Sequence, residues 1–139
     1  MENLGLTMGP DKTFWKNKRV LITGHTGFKG SWLTLLLNYL GADLIGLSLE
    51  PDVGESLFVN AEVMNRIDSR IIDINNHTEL ERACKSASPE VVFHLAAEAL
   101  VRQSYRTPLQ TFLTNAQGTV NLLEVLRSVE SVESIICIT

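Results

Sequence analysis

One stretch constrains this chain more than any other. Val20-Leu21-Ile22-Thr23 runs directly into Gly24-His25-Thr26-Gly27-Phe28-Lys29-Gly30. An unbroken apolar run of this kind suits a strand covered on both faces, as in a parallel sheet. The GxxGxxG turn then opens a helical stretch, Phe28–Leu40, with Gly41 at its C-terminal cap. In such a turn the first glycine allows the tight bend and the second lets backbone approach a pyrophosphate. The third lets helix and strand pack closely, and the helix N-terminus offers free N–H groups to phosphate. Spaced glycines alone are a weak signal; the strand before and the helix after are what point to nucleotide binding. A P-loop is excluded, because it needs Gly-Lys followed at once by Ser or Thr, and the order here is Lys29-Gly30-Ser31.

The same alternation continues along the chain. A second strand is expected over Leu44–Leu49, stopped by Pro51. Residues 52–65 are ambiguous, with a short helix possible in SLFVNAEV. A third strand is expected over Arg70–Ile74, and Asn76 with Glu79 resembles a capping box for a helix to about Ala87. Glu90–Leu95 reads as a fourth strand. Thr107 as N-cap and Pro108 at the first helical position open the longest helix. Its apolar positions Leu109, Phe112, Leu113, Val120, Leu123 and Leu126 recur at helical spacing. A fifth strand begins at Ser134. Strands alternating with helices specify an α/β fold, a doubly wound parallel sheet with helices on both faces.

Composition narrows the partners. The 139 residues carry 12 Lys+Arg against 16 Asp+Glu, a net charge of −4, so no broad basic face for nucleic acid is implied. Two cysteines, Cys84 and Cys137, are too few for a disulfide framework or a metal cluster and suit a reducing, cytoplasmic compartment. Residues 1–17 read as a polar arm with little to bury and no apolar run long enough for a signal peptide. The most apolar stretch, Trp32–Leu40, is too short to span a bilayer.

The end of the second strand is where an acidic residue usually holds the adenosine ribose of NAD. Ser48 stands in that register, with Glu50 two residues later. A hydroxyl binds a diol less firmly than a carboxylate and does not repel a 2′-phosphate, so the choice of NAD over NADP is less secure than usual. Glu50 compensates if the strand end curls; otherwise it is a solvated loop residue.

Several strings together resemble the extended short-chain dehydrogenase/reductase family. They are TGHTGFKG from Thr23, Asp73-Ile74 after the third strand, and His94-Leu95-Ala96-Ala97 after the fourth. The longer strings GHTGFKGSWL, FHLAAEALVRQSY and TNAQGTVNLLE resemble the CDP-glucose 4,6-dehydratases within that family, over about residues 14–139. The resemblance implies a Rossmann-type domain over residues 18–139 with NAD as cofactor. Gly24, Thr26, Gly27, Phe28, Lys29 and Gly30 would cradle the pyrophosphate, and Ser48 would face the ribose. Asp73 and Ile74 would meet the adenine. Leu95, Ala96, Ala97 and Glu98 would line the nicotinamide-ribose side, with Thr114 reaching the cofactor from the long helix. His94 would brace strands. His25 would sit beside the phosphates or be a surface turn residue. Arg102 and Ser104 lie where such enzymes meet the sugar nucleotide, although an ordinary solvated arginine fits Arg102 nearly as well.

The implied reaction on CDP-glucose is an internal redox cycle. NAD takes a hydride from C4, water leaves across C5–C6, and the hydride returns to C6. It needs a Tyr base with a Lys four residues on and a hydroxyl donor at the C4 oxygen. Tyr39 is followed at that spacing by Asp43, and Tyr105 by Leu109, so neither qualifies. The family's pair lies beyond the fifth strand. The expectation is therefore a cofactor-binding half, truncated at about strand five and inactive by itself. The alternatives are a non-catalytic NAD(P)-binding module and a related nucleotide-sugar epimerase or dehydratase. An apolar face left on the helix 108–128 is expected to drive homo-oligomerisation.

Overall fold

The computed structural model describes residues 9–51 and 54–138. Five strands form one sheet in the order β3-β2-β1-β4-β5: β1 (Arg19–Thr23), β2 (Asp43–Ser48), β3 (Asp68–Ile71), β4 (Val91–His94) and β5 (Ser134–Cys137). Every adjacent pair is parallel. The chain steps outward from β1 through β2 to β3, then returns to the other side of β1 for β4. That reversal creates a crevice beyond the carboxyl ends of β1 and β4, where ligands bind in doubly wound sheets. This is the doubly wound parallel sheet expected from the alternation, and the Rossmann-type arrangement that the resemblance implies.

Alternate residues of β1 face opposite layers. Val20 and Ile22 pack with Leu37 of α2 (Phe28–Tyr39) and Leu40 at its C-cap, and with Phe58 of α3 (Leu57–Asn60) and Val63 of a 3₁₀ turn (Val63–Arg66). Leu21 packs on the other side with Leu80 and Cys84 of α4 (His77–Ala87) and Leu122 of the last helix. Leu80 and Leu122 are fully buried, and truncating either to Ala would cost about 2–5 kcal/mol. At the far end of the sheet from the crevice, Lys18 Nζ bridges Glu90 at 3.1 Å and Glu133 at 2.9 Å, and Glu90 also accepts the Arg19 N–H at 3.0 Å. The starts of β1 and β4 and the approach to β5 are thereby tied together.

The long helix is built in pieces. After α5 (Val101–Arg106) come α6 (Pro108–Phe112), a π turn over Leu113–Gln117, and α7 (Gly118–Leu126). Gly118 N–H reaches the Leu113 carbonyl five residues back. Gly118 itself lies against Ile74, whose Cγ1 would be 2.7 Å from any Cβ there. The buried stripe of α7 is Gly118, Leu122, Val125 and Leu126. Of the apolar positions read from the sequence only Leu126 joins it; Leu109, Phe112, Leu113, Val120 and Leu123 are exposed.

Other expectations shift. β3 covers Asp68–Ile71 rather than residues 70–74, because the apolar run RIIDI straddles the strand end and Ile74 turns into the core beside α7. A helical turn, α1 (Lys12–Trp15), stands inside the N-terminal arm, capped by the Asp11 carboxylate accepting from Thr13 N–H; residues 1–8 lie outside the described residues. Asn76 caps α4 through Glu79 N–H. Thr107 holds the N-cap position of α6 without capping it, since its hydroxyl donates back to the Gln103 carbonyl.

Candidate functional site

The β1–α2 turn is shaped by missing side chains. Gly24 has φ +75°, and a Cβ there would lie 2.8 Å from Ala96 N and 2.9 Å from the Leu95 carbonyl oxygen. A Cβ on Gly30 would overlap the Gly24 carbonyl and stand 2.7 Å from His25 Cα. Gly27 is different: its Cβ would meet only the Gly24 oxygen, at 3.4 Å, so its open side faces the crevice. No side chain caps α2, and its first returning bond is Ser31 N–H to the Gly27 carbonyl at 2.9 Å. The N–H groups of Phe28, Lys29 and Gly30 precede that bond and are left as donors for an anion.

The crevice is a cleft of about 200 Å³. It brings together Gly24, Thr26 and Gly27 from the turn and Ser48 from the end of β2, with Asp73 and Ile74 beyond β3. Leu95, Ala96 and Ala97 beyond β4, and Thr114 from the π turn, complete the set. Leu49, Ile72 and Gln110 also line it, and the sequence reading did not name them. Phe28, Lys29, Gly30, Glu98, Arg102 and Ser104 are not among its lining residues. Phe28 and Lys29 are exposed on α2 and Gly30 is buried under the turn. Arg102 is exposed on α5, and the Ser104 hydroxyl donates to the Val101 carbonyl.

Hydrogen-bond accounting fixes which atoms the cleft presents. Thr26 Oγ1 donates to the Leu49 carbonyl at 3.1 Å, so the proton in its 2.7 Å contact with Ser48 comes from the serine. Ser48 Oγ is then left with lone pairs, an uncharged acceptor where a carboxylate is usual. Asp73 Oδ1 accepts the Asn75 N–H at 2.9 Å, which holds the carboxylate at the cleft mouth.

A second set of bonds runs behind the opposite wall. Leu95 and Ala96 N–H groups both donate to Thr23 Oγ1 at 3.2 Å. The Thr23 hydroxyl proton therefore goes to His94 Nδ1 at 2.6 Å. His94 Nε2–H donates to Thr119 Oγ1 at 2.8 Å, whose own proton meets the Asn115 carbonyl at 2.7 Å. The Asn115 side chain accepts Glu98 N–H at 2.7 Å and donates to the Glu98 carbonyl at 3.2 Å. Burial lowers the His94 pKa, in keeping with this neutral tautomer. His94 thus ties β4 to β1, the strand bracing expected, and also to α7, which was not; the roles of Thr23, Thr119 and Asn115 carry no recognisable sequence signal.

His25 is not a surface residue. Its ring is fully buried, bonds Ser69 Oγ at 2.7 Å and packs edge-on to Phe58 with centroids 5.6 Å apart. A Cβ on Gly46 of β2 would run into this ring, with Nδ1 at 2.5 Å. Nδ1 makes no well-formed hydrogen bond. Burial pushes the pKa down to about 4, with the Leu47 backbone opposing weakly. Among the described residues no group of His, Cys, Asp and Glu is placed to hold a metal, and no helix is long and apolar enough to cross a membrane.

Comparison with known proteins places this geometry. Residues 21–138 match the family model described as GDP-mannose 4,6 dehydratase. The chain is 44% identical over 129 residues to a CDP-glucose 4,6-dehydratase of Salmonella typhimurium, covering 93% of this chain and 36% of that protein. It is 34% identical to UDP-glucuronate 4-epimerase 4 of Arabidopsis thaliana, over 84% of this chain and 28% of the relative. Among solved structures, UDP-glucose 4-epimerase from Brucella ovis in complex with NAD superposes with TM-score 0.74 at 26% identity, over 86% of this chain and 35% of that one. The epimerase Mth375 of Methanothermobacter thermautotrophicus gives TM-score 0.76 at 30% identity, over 91% and 36%. The chain spans about a third of the length of these relatives. With its sheet order, glycine turn and matched residues taken together, the chain belongs to the sugar-nucleotide dehydratase and epimerase family that the GDP-mannose 4,6 dehydratase model describes.

Proposed function

We propose that this chain is the dinucleotide-binding part of a sugar-nucleotide 4,6-dehydratase, with NAD as its cofactor and CDP-glucose as the substrate of the whole protein. The observation that carries the reading is the glycine turn, where Gly24 and Gly30 leave no room for a Cβ against neighbouring backbone and Gly27 alone keeps an open side, against which a pyrophosphate would lie. The free N–H groups of Phe28, Lys29 and Gly30 would bind the pyrophosphate, and Ser48 Oγ would accept from the adenosine ribose. The Asp73 carboxylate would accept from the adenine amine. The Leu95–Ala97 wall would leave room for the nicotinamide half because two of its side chains are methyl groups. When bound, NAD supplies a hydride acceptor that later returns the hydride. These residues orient it and exclude water from one side.

The CDP-glucose assignment is supported by the 44% identity to a protein of that name; an epimerase substrate is the competing outcome. Calorimetric titration of this chain with NAD tests the cofactor: saturable binding is expected, and its absence would end the reading. Incubating the whole protein with CDP-glucose and NAD should yield the 4-keto-6-deoxy product, whereas a C4-inverted sugar would assign an epimerase. We further propose that the exposed face of α6 and α7, bearing Leu109, Phe112 and Val120, pairs with a second copy. Sedimentation should show dimers that Phe112→Glu disperses; a monomer at all concentrations would exclude this.

A further inference from the structure

The wall of the cleft beyond β4 is gripped at both ends by hydrogen bonds joined through Asn115, whose backbone carbonyl takes the Thr119 proton and whose side chain holds Glu98. At its start, Thr23 Oγ1 holds the N–H groups of Leu95 and Ala96. At its end, the Asn115 side chain holds both backbone groups of Glu98. Between these grips the chain of bonds passes through His94 and Thr119, and every donor in it has one acceptor available. Ala97 alone lies outside the grips, and it lines the cleft. Asn115 stands in the π turn, a winding found frequently at functional sites. Thr114, beside it, lines the cleft as well.

We propose that His94, Thr119 and Asn115 are positioning residues. Through this relay they set the Leu95–Glu98 wall, and the ligand half that touches the wall depends on them while the other half does not. The proposal rests on the dinucleotide reading, in which the wall meets the nicotinamide half and the β1–α2 turn with Ser48 and Asp73 meets the adenosine diphosphate half. Its chemistry is directional. A His94 ring flipped to the other tautomer would leave Nδ1–H facing the Thr23 hydroxyl. That hydroxyl would then have to turn its proton elsewhere and give up one of the two N–H groups it now accepts.

The experiment compares NAD with ADP on the full chain. Thr119→Val removes the hydroxyl without changing side-chain shape, and Thr119→Ser restores it. The expected result for Thr119→Val is a loss of about tenfold in NAD affinity, on the order of one hydrogen bond, with ADP affinity unchanged and Thr119→Ser near wild type. Equal weakening of both ligands would mean the relay only braces the fold, and unchanged NAD affinity would mean the wall does not need it. Either result overturns the proposal. Wild type binding ADP but not NAD would overturn it too; wild type binding neither would remove the dinucleotide reading itself. Amide hydrogen exchange gives a second, ligand-free measurement. Asn115→Leu should speed exchange at Glu98 at least tenfold while β1 amides stay protected, and an unchanged Glu98 rate would also overturn the proposal.

Discussion

The two walls of the cleft are held by opposite means. The β1–α2 turn is fixed by what is absent, since Gly24 and Gly30 leave no room for a single added carbon. The wall beyond β4 is fixed by what is present, a series of hydroxyl, imidazole and amide contacts reaching from Thr23 to Glu98. Steric exclusion is all-or-none, because interiors are close-packed and resist overpacking. Hydrogen bonds fail by degrees, each worth about 1 kcal/mol. The first wall should therefore break abruptly under substitution, and the second should loosen stepwise.

Gly30→Ala puts this to its hardest test. Alanine is the better helix former by about 1 kcal/mol, so any loss measures the clash with the Gly24 carbonyl. A net destabilisation of about 3 kcal/mol is expected from the urea midpoint at constant slope. A neutral result would show that the turn relaxes and that the contrast is false. Acid is the next lever, because a buried imidazole lies beneath each wall. The unfolded chain protonates His25 near pH 6.5 while the folded one resists until about 4. Its share of stability is complete above pH 6.5 and drains as pH falls toward 4, by about 3 kcal/mol. His94 shifts in the same direction and steepens the slope. The lowered carboxylates Asp11, Glu81 and Glu90 lose their contributions only below their ordinary values of 3.8 to 4.5, so the fall between pH 6.5 and 4.5 belongs to the histidines. Chemical denaturation across that range should show it, and His25→Gln should flatten it.

Gly46→Ala, which drives a methyl into the His25 ring, should cost about 2 kcal/mol. Combining it with His25→Ala should recover part of that loss in a double-mutant cycle; strict additivity would mean the ring moves aside freely. The smallest effect is expected at Ser48→Ala. Removing one uncharged acceptor should weaken NAD about fivefold in a binding titration with little change in stability. A loss of a hundredfold would mean the serine carries far more than one ordinary hydrogen bond.

The contrast also explains what the sequence disclosed. Glycine spacing is written in adjacent positions, so the Gly24–Gly30 turn and the flanking strands were readable. The relay joins Thr23 to His94, His94 to Thr119 and Asn115 to Glu98, separations of 71, 25 and 17 residues. None of these pairs leaves a periodic trace. The π turn was equally hidden, since Leu113–Gln117 reads as ordinary helix and only Gly118, pressed by Ile74, marks the spot. α5 was missed because none of its residues is buried. The surface reading of His25 fails because its position in the turn says nothing of where its ring goes. Gly46, a glycine inside a buried strand, was the available clue to a close neighbour.

Cys84 and Cys137 form a timer that needs no engineering. Cys84 is sealed on the buried face of α4, its thiol pushed up to about 12 by burial, while Cys137 sits exposed on β5. Alkylating reagents attack thiolates, so Cys137 should label at once and Cys84 only when the core opens. The interval between the two events reads how often the core opens, as an open population at low reagent and as an opening rate once labelling outpaces reclosing, from a single mass-spectrometric time course.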